Sequence, residues 1–244
     1  MFDPSKYTVA EPRPLPVLLM LDVSSSMSGT KIKALNDAVR TMLANLSAEG
    51  SREAEVKVSI ITFGLQVNRL FPFTKAADVQ FEDLTAKGET PLGMALRMAK
   101  DIIEDRDETP SRAYRPTVIL VSDGRPTDHW QEPLAEFLEG ERCKKCDRMA
   151  MAIGSDANQD VLLKFLEGTD HDVLEAHRAA DIDSFFKFVT MSVSTRVNSP
   201  NPEAIPTDIE EPVGTPPREQ EPISEAKPET ENKTGGYYDD DDYF

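Results

Sequence analysis

An aspartate and two serines stand at spacing two in Asp22-Val23-Ser24-Ser25-Ser26, directly after the apolar run Val17-Leu18-Leu19-Met20-Leu21. Carboxylate and hydroxyl oxygens are hard donors, the kind that Mg²⁺ prefers. If the apolar run is a buried strand, the three side chains sit at its carboxyl tip, where open α/β sheets bind their ligands. Two further segments offer more of the same chemistry. Gly88-Glu89-Thr90-Pro91-Leu92-Gly93 reads as a helix start, with Thr90 as N-cap and Pro91 in the first helical position. Val118-Ile119-Leu120-Val121 reads as a second buried strand, running out through Ser122 to Asp123 and Gly124. The chain therefore offers Asp-x-Ser-x-Ser, a threonine and an aspartate, each at the tip of an element.

Other chemistries fit less well. Helix capping alone explains Asp22, Ser24 and Ser26 but not Thr90 and Asp123. Haloacid-dehalogenase-type phosphatases also place an aspartate after an apolar strand, yet they need a second aspartate two residues later, and that position is Ser24. The sequence has no Gly-x-Ser-x-Gly elbow and no Gly-x-x-x-x-Gly-Lys loop. His129, His171 and His177 have no triad context, so no catalytic residue is assigned and a non-enzymatic role is expected. Cys143-Lys144-Lys145-Cys146 has zinc-like spacing, but a closed zinc site takes four ligands and there is no second cysteine pair. The pair reads as ordinary thiols. Trp130, the one tryptophan, reads as packing rather than as a contact at the site rim.

The elements that must position these residues follow from hydrophobic period. Strands are expected at 15–21, 56–63, 67–73, 117–122, 149–153 and 172–176, with 56–63 and 67–73 forming a hairpin. Pro72 marks the second hairpin arm as an edge strand. Helices are expected at 31–46, directly after Thr90 with Leu92, Leu96, Ala99, Ile102 and Ile103 on one face, at 132–146, at 159–167 and at 181–195. Strands alternating with helices predict an α/β, three-layer, doubly wound, mostly parallel sheet with one antiparallel edge strand.

In order, Asp22-x-Ser24-x-Ser26, Thr90 and Asp123 resemble the metal-ion-dependent adhesion site of von Willebrand factor type A domains. The resemblance covers about residues 14–194 and implies the Rossmann-like fold of that family. It also implies that Ser24, Ser26 and Thr90 contact the metal, Mg²⁺ or Mn²⁺, while Asp22 and Asp123 act through water. A protein partner would then supply an acidic residue. Asp123-Gly124-Arg125-Pro126-Thr127-Asp128 is similar to the family's third loop. The chain departs from the family at Ser25, where many members carry glycine; only backbone freedom is at stake there. Asp22 to Gly29, Gly88 to Gly93, Ser59-Ile60-Ile61-Thr62-Phe63 and Ser192-Val193-Ser194 resemble bacterial TerY-type proteins. Those are associated with tellurium and stress resistance, beside a serine/threonine kinase and a phosphatase.

Charge separates the chain into regions. The 244 residues carry a net −17, of which residues 198–244 hold thirteen acidic against three basic residues, a net of −10. Eight of the eighteen prolines also lie there. Such a segment buries too little apolar surface to offset its chain entropy, so residues 198–244 are expected to be an acidic, disordered tail. Residues 1–13 form an extended lead-in and residues 14–197 the domain. The tail ends in Tyr237-Tyr238-Asp239-Asp240-Asp241-Asp242-Tyr243-Phe244, a solvated run; Thr215 and Thr230 are possible phosphoacceptors. An acidic chain repels nucleic acid and anionic membranes. The N-terminus lacks a signal-peptide shape, and two cysteines without one fit a cytoplasmic protein. The expectation is thus a cytosolic, metal-dependent interaction module. The alternatives are a metal-independent scaffold or a metal-dependent phosphatase-like enzyme.

Overall fold

Three aliphatic strands lie at the centre of the computed structural model, which describes residues 11–50, 54–155, 157–206 and 209. They are β1 (Arg13–Asp22), β4 (Thr117–Ser122) and β5 (Asp147–Ile153). Nearly every residue of the three is buried, as expected of parallel strands covered on both faces. With β2 (Ala54–Phe63), β3 (Val67–Lys75) and β6 (Val173–Ala176) they form a six-stranded sheet in the order β3-β2-β1-β4-β5-β6. All neighbours are parallel except β2 and β3.

Alternate residues of β1 serve two cores. Leu15, Val17, Leu19 and Leu21 face α1 (Thr30–Ser47) and α5 (Ala179–Asn198), with Leu35, Val39, Phe185 and Val189. Leu18 and Met20 face α2 (Leu92–Glu104), α3 (Gln131–Glu139) and α4 (Gln159–Phe165), with Leu96, Ile103, Phe137 and Phe165. This is the three-layer α/β architecture expected from the alternation of strands and helices. As expected, β3 is an edge strand. Pro72, which has no N–H to donate, falls where the β2–β3 register shifts between Val58/Thr74 and Ile60/Phe71. Among the described residues, no helix is long and apolar enough to cross a membrane.

At three places the departure from the expected bounds has a local physical cause. β1 begins at Arg13 rather than Leu15, so Pro14 lies inside it as well as Pro16. Pairing with β4 begins only at Val17, so this first part of β1 is an edge on that side and has no need of every N–H. The helix expected to run to Cys146 stops at Glu139. After Gly140 the chain makes a separate short 3-10 turn at Cys143–Lys145. The Glu104 carboxylate holds this turn, accepting from the backbone N–H of Arg142 (2.9 Å) and of Cys143 (3.0 Å). Finally, contacts continue past residue 197. Arg196 donates to the Pro202 carbonyl at 3.0 Å, and Glu203 accepts from the Arg115 N–H at 3.0 Å and pairs with Arg13 at 3.3 Å. The rest of the expected tail, with Thr215, Thr230 and the terminal aspartates, lies outside the described residues, as do residues 1–10.

Candidate metal centre

From β1 the chain moves to β2 on one side, while β4 continues the sheet on the other. The crevice between the ends of β1 and β4 is therefore the switch point of the sheet, where such folds place ligands. Pairing of Leu21 with Val121 brings Asp22 level with Ser122 across that crevice. Ser122 donates to Asp22 Oδ2 at 2.6 Å, and the Ser24 N–H donates to Asp22 Oδ1 at 2.8 Å. Both carboxylate oxygens are thus fixed from either side. Asp22 is fully buried, and burial pushes its carboxyl above its ordinary range, against the bonds from Ser122 and Ser24.

The other residues of the expected set meet here. Ser24 Oγ lies 2.9 Å from Ser26 Oγ, which in turn donates to Asp123 Oδ1 at 2.7 Å. Thr90 comes from the second loop. A β-carbon placed on Gly124 would lie 3.3 Å from Thr90 Oγ and 3.7 Å from Ser26 Oγ, so both hydroxyls flank that glycine. Asp123 and Thr90 are buried, at 1% and 4% exposure, whereas Ser26 opens to solvent. Three hydroxyls and two carboxylates share one crevice that has an open side.

These donors suit a small hard cation. Neighbouring ligands of an octahedral ion bound at 2.0–2.1 Å stand about 2.9 Å apart, which is the kind of separation found between Ser24 and Ser26. With only two carboxylates, the set is rich in hydroxyls. Among the described residues, no group of three or more His, Cys, Asp or Glu is placed to hold a metal, so any cation here depends on Ser and Thr oxygens.

Three loops are tied together around the crevice. The Ser25 N–H donates to the Gly88 carbonyl at 2.9 Å, and the Gly88 N–H donates back to Ser25 Oγ at 3.0 Å. Gly88 has φ +91, and a side chain on it would lie 2.3 Å from the Leu65 backbone. Ser25, which sequence reasoning set aside as a non-ligand, is therefore a clasp between the first two loops. The Thr127 N–H donates to the Thr90 carbonyl at 3.0 Å, and the Thr90 N–H donates to Thr127 Oγ at 3.2 Å, joining the second loop to the third.

Thr90 does not cap α2, contrary to expectation. The helix starts at Leu92, after Pro91. Its free N–H groups go instead to the third loop, where Asp128 accepts from the N–H of Gly93 and of Met94, both at 2.9 Å. The Thr90 hydroxyl is left to face the crevice. The Asp-Gly-x-Pro-Thr-Asp run contained this signal, since aspartate is a preferred cap, but only tertiary structure brings it to α2.

Sequence reasoning also missed Lys31. Its Nζ lies 2.5 Å from Asp123 Oδ2. The lysine side chain is 34% exposed, whereas that of Asp123 is fully buried. The remaining candidates stand apart from the crevice. Cys143 and Cys146 are free and buried, and burial pushes both thiols up, Cys146 to about 12. Trp130 packs against the core on the α2 and α3 side, with the Lys164 ammonium 5.5 Å from its ring centre.

The chain is similar in sequence and fold to several known proteins. Residues 17–125 match the family model of the von Willebrand factor type A domain, a stretch that includes all five residues of the crevice. The inter-alpha-trypsin inhibitor heavy chains H2 of pig and human are each 26% identical to the chain, over 82% of its length but 22% of theirs. The chain thus spans about a fifth of those relatives. Among solved structures, von Willebrand factor type A from Catenulispora acidiphila superposes with a TM-score of 0.58 at 19% identity, covering 74% of this chain and 42% of that one. Proximal thread matrix protein 1 from the mussel byssus, with a zinc-occupied metal-ion-dependent adhesion site, has a TM-score of 0.54 at 17% identity, covering 74% and 48%. The ArnB paralog VWA2 from Sulfolobus acidocaldarius has a TM-score of 0.55 at 16% identity, covering 73% and 46%.

Proposed function

We propose that the von Willebrand factor type A domain carried by this chain is a metal-dependent protein-interaction module. The observation that carries the reading is the convergence of three hydroxyls and two carboxylates in a crevice with an open side at Ser26. Ser24, Ser26 and Thr90 would hold Mg²⁺ or Mn²⁺ directly, and Asp22 and Asp123 would act through water. Asp22 is already held by Ser122 and Ser24, which suits a residue that orients rather than reaches. A cation held there would supply a Lewis-acidic position for an oxygen anion, such as the acidic side chain of a protein partner. The module works as an adaptor, not as an enzyme.

A cytoplasmic adaptor of the TerY type, beside a serine/threonine kinase and a phosphatase in a stress or tellurium-resistance system, is supported by the loop residues that resemble that group. Two free cysteines fit a reducing compartment. A metal-independent scaffold is the second reading, and the Lys31–Asp123 pair favours it, since it already balances one carboxylate.

The thermal midpoint in EDTA and in millimolar Mg²⁺ tests the site. A ligand at about a hundred times its dissociation constant stabilises by roughly 2.7 kcal/mol. For a domain of this size that is a rise of about 5–10 °C, absent in Asp123→Ala. Equal midpoints in both proteins, with partner capture unaffected by EDTA, would give the scaffold reading the lead.

A further inference from the structure

Lys31 occupies a place that a structural ion pair does not need. It lies in the first turn of α1, where the helix dipole favours anions, not cations. Its ammonium nevertheless reaches over the crevice to the inner oxygen of Asp123, whose other oxygen is held by Ser26. The end of β5 flanks the ammonium on a further side. A β-carbon on Gly154, which has φ +82, would sit 3.6 Å from Lys31 Nζ and 3.8 Å from its Cε. The Lys31 side chain is about a third exposed, so the pair borders solvent on one side.

We propose that Lys31 is a tethered counter-cation of the crevice, which neutralises Asp123 and must leave before a divalent ion is held there. This rests on the metal-site reading above. A unit positive charge on Asp123 Oδ2 and a divalent ion beside Ser26 would share one carboxylate and repel each other across it. The lysine therefore sets the intrinsic metal affinity low. It also offsets the charge of Asp123, which shares the buried crevice with Asp22. Metal entry is then an exchange of one cation for another at Asp123.

The test is isothermal titration of Mn²⁺ into the full chain after EDTA stripping, for the wild type, Lys31→Met, Lys31→Arg and Asp123→Ala. Circular dichroism verifies folding, and Lys31→Gln replaces the methionine variant if that one fails to fold. Lys31→Met is expected to bind Mn²⁺ about tenfold more tightly, a factor kept modest by the partial exposure of the pair. Lys31→Arg, which keeps the charge, should stay within about threefold of the wild type. Binding by Lys31→Met where the wild type shows none would support the proposal equally. If the wild type binds and Lys31→Met binds no better, the counter-cation role is overturned while the metal site stands. If neither binds at millimolar Mn²⁺, the metal-site reading fails and this inference fails with it.

Discussion

Asp22 shows how much of the crevice depends on neighbours that no motif contains. The Asp-x-Ser-x-Ser spacing identifies Asp22, Ser24 and Ser26 because one strand end and one turn hold all three. Thr90 and Asp123 are legible as tips of other elements. Ser122, Ser25 and Lys31 are not, because their roles arise only when β1 meets β4 and the loops close over one another. The cysteines illustrate the opposite case, in which spacing suggests chemistry and surroundings suppress it. Both lie between α2 and the start of β5, and burial holds them as neutral thiols far above neutral pH. A thiol reacts as its thiolate, so neither should be alkylated by iodoacetamide in the native protein at pH 8. Both should react in denaturant, and mass spectrometry of the labelled protein would show the difference.

The elements were legible wherever period and burial agree. The strand over 117–122 has the expected bounds, and the helices expected near 31–46 and 181–195 match α1 and α5 with a residue or a few added at each end. What failed was termination. The 140–146 segment has a helical composition, yet the Glu104 carboxylate binds two of its N–H groups and makes it a separate turn. Burial pushes the Glu104 carboxyl up, but these N–H bonds outweigh it and hold the carboxyl below its ordinary value. The start of α2 failed for a similar reason, because its cap is Asp128, thirty-odd residues downstream. Asp128→Ala is expected to cost about 1–2 kcal/mol in urea unfolding, the usual size of a lost N-cap. Because the same loop clasps Thr90 through Thr127, the Mg²⁺-dependent rise in thermal midpoint should also shrink.

At the scale of the molecule, a second buried polar centre lies at the end of the sheet away from the crevice. Arg196 is fully buried on α5 and donates to Thr117 Oγ (2.7 Å), the Arg115 carbonyl (2.7 Å) and the Pro202 carbonyl (3.0 Å). Asp147 stands 3.9 Å from it, also fully buried, and its other oxygen lies 3.0 Å from His171 Nε2. Replacing Arg196 with Met leaves Asp147 short of its cationic neighbour and two carbonyls without a donor. That should cost about 3 kcal/mol or more, read as a lower urea midpoint with an unchanged slope.

The same contacts bring the two ends of the domain together. Glu203, just past α5, pairs with Arg13 at the start of β1 and caps the N–H of Arg115 before β4. Entry and exit of the chain therefore share one pole, and Ser24, Ser26, Thr90 and Asp123 occupy the other. A fluorophore placed on the exposed surface beside Arg13 and Glu203 would therefore hold the domain by that pole and leave the crevice clear. Held from that pole, the domain keeps all four of these crevice residues on its far side.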